Sequence, residues 1–163
     1  MKTIKLTLKE AKQIQDKIKT MTSRPIKSIP DGYELKWIEK RNASYLSCIN
    51  KIGQPHCMRM TRDIYPKYED GQILQIPDTD IKIKVVGVKA IQLNDIQIED
   101  YIKEGYTQKG SYVCLRPQSW ESIKSVKFKE DWDSFYAEVE NGKYLSKNNP
   151  WTWQYEFVYE EDK

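Results

Sequence analysis

A chain of 163 residues suits one domain with a modest core. Charged residues make up 31% and hydrophobic residues 39%, yet 5 Trp and 11 Tyr are too many for a disordered chain, since aromatic side chains bury large areas. No apolar run approaches the roughly 20 residues a bilayer crossing needs, the N-terminus from Met1 to Glu10 lacks the apolar centre of a signal peptide, and a net charge of +3 is small for a protein held to nucleic acid by charge alone. A single soluble, cytoplasmic domain without a membrane partner is therefore expected.

Thr7 and Glu10 have capping-box spacing. Leu8, Ala11, Ile14, Ile18 and Met21 recur at helical spacing, which predicts a helix running up to Thr22. Its other face carries Lys9, Lys12, Lys17 and Lys19, a solvated face or one lying along a phosphate backbone. Residues 24–32 hold two prolines and a Pro-Asp-Gly turn and read as a loop. Tyr33, Leu35 and Trp37 alternate with polar residues, and residues 45–52 form a second apolar run, so a hairpin is expected. Residues 1–58 read as an elaboration packed on a main barrel of residues 59–159, within one domain of residues 1–163.

Residues 59–68 are the most basic and aromatic short stretch. Arg59, Arg62 and Lys67 can contact phosphates, and Tyr68 can stack on an unpaired base. The bland alternative is a surface loop whose tyrosines fold back onto the barrel. Asp70-Gly71 makes a turn, Ile73, Leu74 and Ile76 begin a strand, and residues 81–88 are strongly β. A short helix around residues 98–104 ends at Gly105. Residues 106–125 show weak periodicity; within them Trp120 stands in a polar segment and is the tryptophan best suited to a cleft mouth. Phe128, Trp132, Phe135 and Tyr136 sit at helical spacing, and a final strand covers residues 151–159, with Trp151 and Trp153 on one face.

Cys48, Cys57 and Cys114 are odd in number and lack C-x-x-C spacing, so neither a disulfide framework nor a zinc site with His56 is expected, and no cofactor is implied. Glu130, Asp131 and Asp133 read as a solvated helix face. Residues 160–162 read as a frayed acidic tail.

An ordered series of short motifs runs from residue 65 to residue 159. It comprises Tyr68-Glu69-Asp70-Gly71, Val85-Val86-Gly87-Val88, Leu93-Asn94-Asp95-Ile96, Glu104-Gly105, Phe128 to Trp132 with Ser134, and Asn149-Pro150-Trp151-Thr152-Trp153 with Phe157. The series resembles the ASCH branch of the PUA-like superfamily in its phage and prophage form. The resemblance implies an α+β fold, a PUA-like, ASCH-type mixed β-barrel with flanking helices. It also implies a module that binds RNA, other single-stranded nucleic acid or a modified nucleotide. Some ASCH proteins are amidohydrolases of acetylated cytidine. Their characteristic segment is Gly-x-Lys-x-x-Glu-x-Arg, sometimes with Thr for Glu. The nearest match read here is Gly87 to Asn94, with Lys89 but neither acid nor arginine, so catalysis by that segment is not expected. The leading expectation is nucleic-acid binding through Arg59, Arg62, Lys67, Tyr68 and Trp120. The alternatives are a hydrolase of modified nucleosides and a phage protein that binds a host protein.

Overall fold

The computed structural model describes residues 2–27, 29, 33–38, 45–50, 61–106 and 118–160. The chain is α+β. Strands β1 (Lys2–Thr3), β2 (Met21–Pro25), β6 (Ile73–Gln75), β7 (Lys82–Gln92) and β8 (Trp151–Glu160) form a five-stranded sheet in the order β1-β6-β7-β8-β2. Strands β3 (Tyr33–Ile38), β4 (Tyr45–Asn50) and β5 (Thr61–Ile64) form a three-stranded antiparallel sheet. The helices are α1 (Leu8–Gln15), α2 (Ile98–Lys103) and α3 (Gln118–Tyr136). No helix among the described residues is long and apolar enough to cross a membrane.

The start of the chain departs from the sequence reading. The capping box forms: Thr7 Oγ1 accepts from the Glu10 N–H at 3.2 Å, and Glu10 Oε2 accepts from the Thr7 N–H at 2.8 Å. The helix then stops at Gln15 instead of running to Met21. The N–H of Ile18 reaches the carbonyl of Gln13 at 2.8 Å, and the N–H of Lys17 reaches that of Ile14 at 2.9 Å. This is a Schellman closure with Lys17 at φ 56, where glycine is usual, so no glycine announces the stop. Residues 21–25, placed partly in the helix and partly in a loop, instead form β2. It pairs antiparallel with β8 from Met21↔Glu156 to Pro25↔Thr152, and as an edge strand it tolerates Pro25. Leu8 is exposed, and Lys19, read as part of a solvated face, is buried.

The hairpin forms as expected, from β3 and β4, and β5 joins it through Leu46↔Ile64 to Ile49↔Thr61. The two sheets do not part at residue 58: β1 and β2 lie in the larger sheet, and β5 lies beside the hairpin.

β7 is longer than read and keeps its apolar face through a bulge. Ile83 and Val85 are buried on one face. A register shift between Val85 and Gly87 inserts one residue, so the inward parity passes to Val88 and Ala90, opposite Tyr155 and Trp153. The main core gathers these residues with Ile4, Ile14, Leu74 and Phe157, and Trp37 meets Trp153 edge-on at 5.5 Å. β8 lies between β7 and β2, and both its faces are covered, which buries Thr152 and Gln154 as well as Trp153. A second cluster, Leu93, Ile96, Tyr101, Phe128 and Trp132, joins α2 and α3. Gly105, at φ +95, ends α2 as read.

A candidate ligand cleft between β2 and the end of α3

The segment following the Lys17 turn builds one wall of a cleft of about 330 Å³. Lys19, Thr22, Ser23 and Arg24 come from β2 and its lead-in, Glu10 from α1, Glu104 and Tyr106 from the end of α2, and Trp132, Phe135 and Tyr136 from α3. The left-handed Lys17 turns the chain out of α1, and the Gly105 turn fixes where Glu104 ends α2.

Lys19 and Glu104 form the centre of the wall, each with a side chain 4% exposed. Lys19 Nζ donates to Glu104 Oε2 at 2.8 Å and to the Glu104 carbonyl at 2.9 Å, and lies 3.5 Å from Glu10 Oε1. Two of its N–H donors are therefore spent on Glu104, with Glu10 beside it as a second ion-pair partner. The other carboxylate oxygen, Glu104 Oε1, is buried and has no hydrogen-bond partner among the described residues, and the same is true of Ser23 Oγ. Buried polar atoms without partners cost about 1–3 kcal/mol each, so two at one cleft are informative.

The surrounding charges are fixed. Burial works against ionisation of Glu10, but Lys19, the Thr7 N–H and Arg24 outweigh it and hold the carboxyl below its ordinary range. Burial also opposes the Arg24 charge, but Tyr136, Glu10 and Glu104 outweigh it and raise its pKa further. Arg24 Nη2 donates to the Lys5 carbonyl at 2.6 Å. Burial, then the hydrogen bond its hydroxyl gives Asp131 at 2.9 Å, pushes the Tyr106 phenol well up and keeps it a neutral donor. The lining holds three cations, Lys5, Lys19 and Arg24, against three carboxylates, Glu10, Glu104 and Asp131. Their formal charges cancel.

The aromatic side is a run of α3 rings. Phe128 and Trp132 stand 5.9 Å apart and Trp132 and Tyr136 4.6 Å apart, while the Trp132 indole N–H is spent on the Tyr144 carbonyl at 2.6 Å. Phe135 is 66% exposed at the rim.

The residues singled out from the sequence lie elsewhere. Tyr68 is 5% exposed; it meets Tyr155 edge-on at 5.1 Å, and its hydroxyl donates to the Thr3 carbonyl at 2.9 Å. It is a core residue with no free face for a base. Lys67 is exposed, with Nζ 5.2 Å from the Tyr68 ring. Neither residue lines the cleft. Arg59 lies outside the described residues; Arg62 is on β5 and Trp120 on α3, and their side chains lie outside the described part. Cys57, Cys114 and His56 also lie outside it, as does the Cys48 side chain, and no group of three or more His, Cys, Asp or Glu that could hold a metal occurs among the described residues. Asp131 and Asp133, read as solvated, are engaged: Asp133 accepts from the Ser146 N–H and hydroxyl, both at 2.6 Å.

The missed signal was in the sequence. Lys19-Thr20-Met21-Thr22-Ser23-Arg24 fits Lys-x-x-Thr-x-Arg, the threonine form of the segment sought at Gly87 to Asn94. Lys17 stands where that pattern has glycine, and it adopts the left-handed conformation glycine favours. Lys89, the lysine of the earlier match, instead pairs with Asp100 at 3.1 Å outside the cleft.

No protein-family model matches this chain, and no curated protein matches it. Among solved structures, a crystal structure of an ASCH domain from Lactobacillus crispatus JV V101 is similar, with a TM-score of 0.41 and 10% identity over 92% of this chain and 69% of that one. The similarity carries neither a ligand nor an activity to this chain.

Proposed function

We propose that the cleft binds a base-bearing ligand, an RNA nucleotide or a modified nucleoside. The observation that carries this reading is a pair of buried polar atoms without a partner among the described residues, Glu104 Oε1 and Ser23 Oγ, in a cleft flanked by Trp132, Phe135 and Tyr136. A nucleobase has both features such a site complements: a π-face for aromatic contact and an edge of donors and acceptors. The carboxylate oxygen accepts from an amino or ring N–H, and the serine hydroxyl gives or accepts a second bond. The balanced lining favours a neutral base over a cluster of phosphates. Phosphate contacts from Arg59, Arg62 and Lys67 belong to the same proposal as a separate, salt-sensitive contribution when the ligand is a strand.

A second reading is hydrolysis of a modified nucleoside in the same cleft. It is favoured by the placement of Lys19, Thr22 and Arg24 beside Glu104, because a carboxylate with one free oxygen can take a proton from water. Lys19, bonded to Glu104 and paired with Glu10, positions that carboxylate in this reading.

Calorimetric titration with the ribonucleosides, acetylated cytidine and short single-stranded RNA tests both readings. Binding that Glu104→Gln weakens about tenfold or more supports the cleft, since hydrogen bonds to charged groups contribute about 1.5–3 kcal/mol. Release of acetate from acetylated cytidine, lost in the same variant, selects the second reading. Binding unaffected by Glu104→Gln and Ser23→Ala removes the cleft from both.

A further inference from the structure

A second cavity, of about 180 Å³, is lined by residues of the same sheet and of α2, none of them shared with the cleft. Its wall includes Gly87, Lys89, Asp100, Lys103, Gln154 and Glu156. Gln154 is 1% exposed, and among the described residues neither its Nε2 nor its Oε1 has a hydrogen-bond partner. The neighbours do not use it, because they are already matched. Lys89 Nζ lies 3.1 Å from Asp100 Oδ2, and Lys103 Nζ lies 2.8 Å from Glu156 Oε1. Burial of a whole amide with neither end bonded is costly, and the strand register leaves it no choice of side: Gln154 sits between Ser23 and Lys89 on adjacent strands.

From this we infer that the cavity is a second ligand site, separate from the cleft, for a small neutral molecule with an N–H beside a C=O, as in a lactam or cyclic imide. The carboxamide of Gln154 presents an acceptor next to a donor, and such an edge pairs reciprocally with another cis-amide edge, just as glutamine reads adjacent donor and acceptor atoms on a base. Two lysines facing two carboxylates give the wall no net charge, so neither an anion nor a cation is favoured. The volume exceeds the roughly 30 Å³ share of one water several-fold, so a single bridging water does not fill it. Gly87, at the bulge, lines the opening without a side chain, and a Cβ there would make only ordinary contact with the Glu156 Cβ at 3.5 Å.

The test is a titration of the full-length, ¹⁵N-labelled chain with 2-pyridone, followed by NMR. Saturable shifts of the Gln154 side-chain amide and of the Gly87 and Lys89 backbone signals are expected. Gln154→Leu should weaken that binding about tenfold or more, the loss of two ordinary hydrogen bonds, while Glu104→Gln leaves it unchanged. Unmoved Gln154 amide signals at high probe concentration overturn the proposal, as does equal binding by Gln154→Leu. Shifts confined to Ser23, Glu104 and Tyr106 place the probe in the cleft, which overturns the second site and leaves the cleft reading intact. Should Gln154→Leu not fold, the side-chain amide signals of the unaltered protein decide alone.

Discussion

Replacing Lys19 by methionine is the perturbation with the clearest expected magnitude. The two side chains of the Lys19–Glu104 pair are each 4% exposed, and Lys19 also lies 3.5 Å from Glu10. Methionine keeps most of the stem's volume and removes the charge, so it leaves the Glu104 carboxylate buried with no cation bonded to it. Breaking a buried pair from one side costs about 3–5 kcal/mol. Arg24, whose raised pKa reflects both glutamates, offsets part of this, so about 3 kcal/mol is expected. For a chain of this length that lowers Tm by roughly 10 °C. The double variant Lys19→Met with Glu104→Leu removes both charges and should recover about 2 kcal/mol, because apolar replacement of a whole buried pair is often neutral. Urea denaturation of the single variants, the double variant and the unaltered protein measures the coupling. A loss below about 1 kcal/mol for Lys19→Met, or a double variant whose loss equals the sum of the singles, would refute the buried-pair argument.

Four other outcomes follow from particular contacts. Trp153→Ala should cost about 3–5 kcal/mol by chemical denaturation, since Trp153 is 6% exposed against Trp37, while half-buried Trp151→Ala should cost less; equal, negligible losses would place β8 outside the core. Tyr68→Phe should lower stability by about 0.5–1.5 kcal/mol through loss of the bond to the Thr3 carbonyl and leave nucleoside affinity unchanged; an affinity loss without a stability loss would return Tyr68 to the binding surface. The depressed Glu10 pKa contributes stability that is complete above the ordinary carboxylate range and is lost as pH falls through its lower folded value. Glu10→Gln should therefore flatten the acid limb of a stability–pH profile, and an unchanged limb would show that Glu10 is not ionised in the fold. Gly105→Ala should cost about 1–2 kcal/mol, because its φ is +95 and the new Cβ would lie 3.2 Å from the Gln13 amide; a thermal melt that does not move would deny that the turn holds Glu104 in place.

Much of the fold was legible from local chemistry. The Thr7 capping box, the β3–β4 alternation, the Gly105 helix end and the final strand each follow from residue types with strong local preferences. The early helix was misread because Ile18 and Met21 continue the apolar spacing of Ala11 and Ile14 by coincidence. The stop lies in the backbone of Lys17, and a lysine at positive φ leaves no mark on composition. A helix running to Met21 sets Lys19 on a solvated face, apart from Thr22 and Arg24, and Lys17 stands where glycine precedes the Lys-x-x-Thr-x-Arg spacing of residues 19–24. The Lys19–Glu104 contact spans 85 residues, a separation no local pattern encodes. Tyr68 misled for a related reason: a tyrosine beside a lysine looks the same in sequence whether its ring faces solvent or Tyr155.

The most direct measurement of the central claim follows the Trp132 indole and Glu104 backbone signals by NMR. The full-length protein is titrated with cytidine, acetylated cytidine and the other ribonucleosides at low and high salt. The cleft account predicts saturable shifts at both positions for at least one nucleoside, with an affinity nearly independent of salt because the lining charges cancel, and loss of those shifts in Glu104→Gln. Shifts absent at both positions for every nucleoside, or binding that persists unchanged in Glu104→Gln, would contradict it.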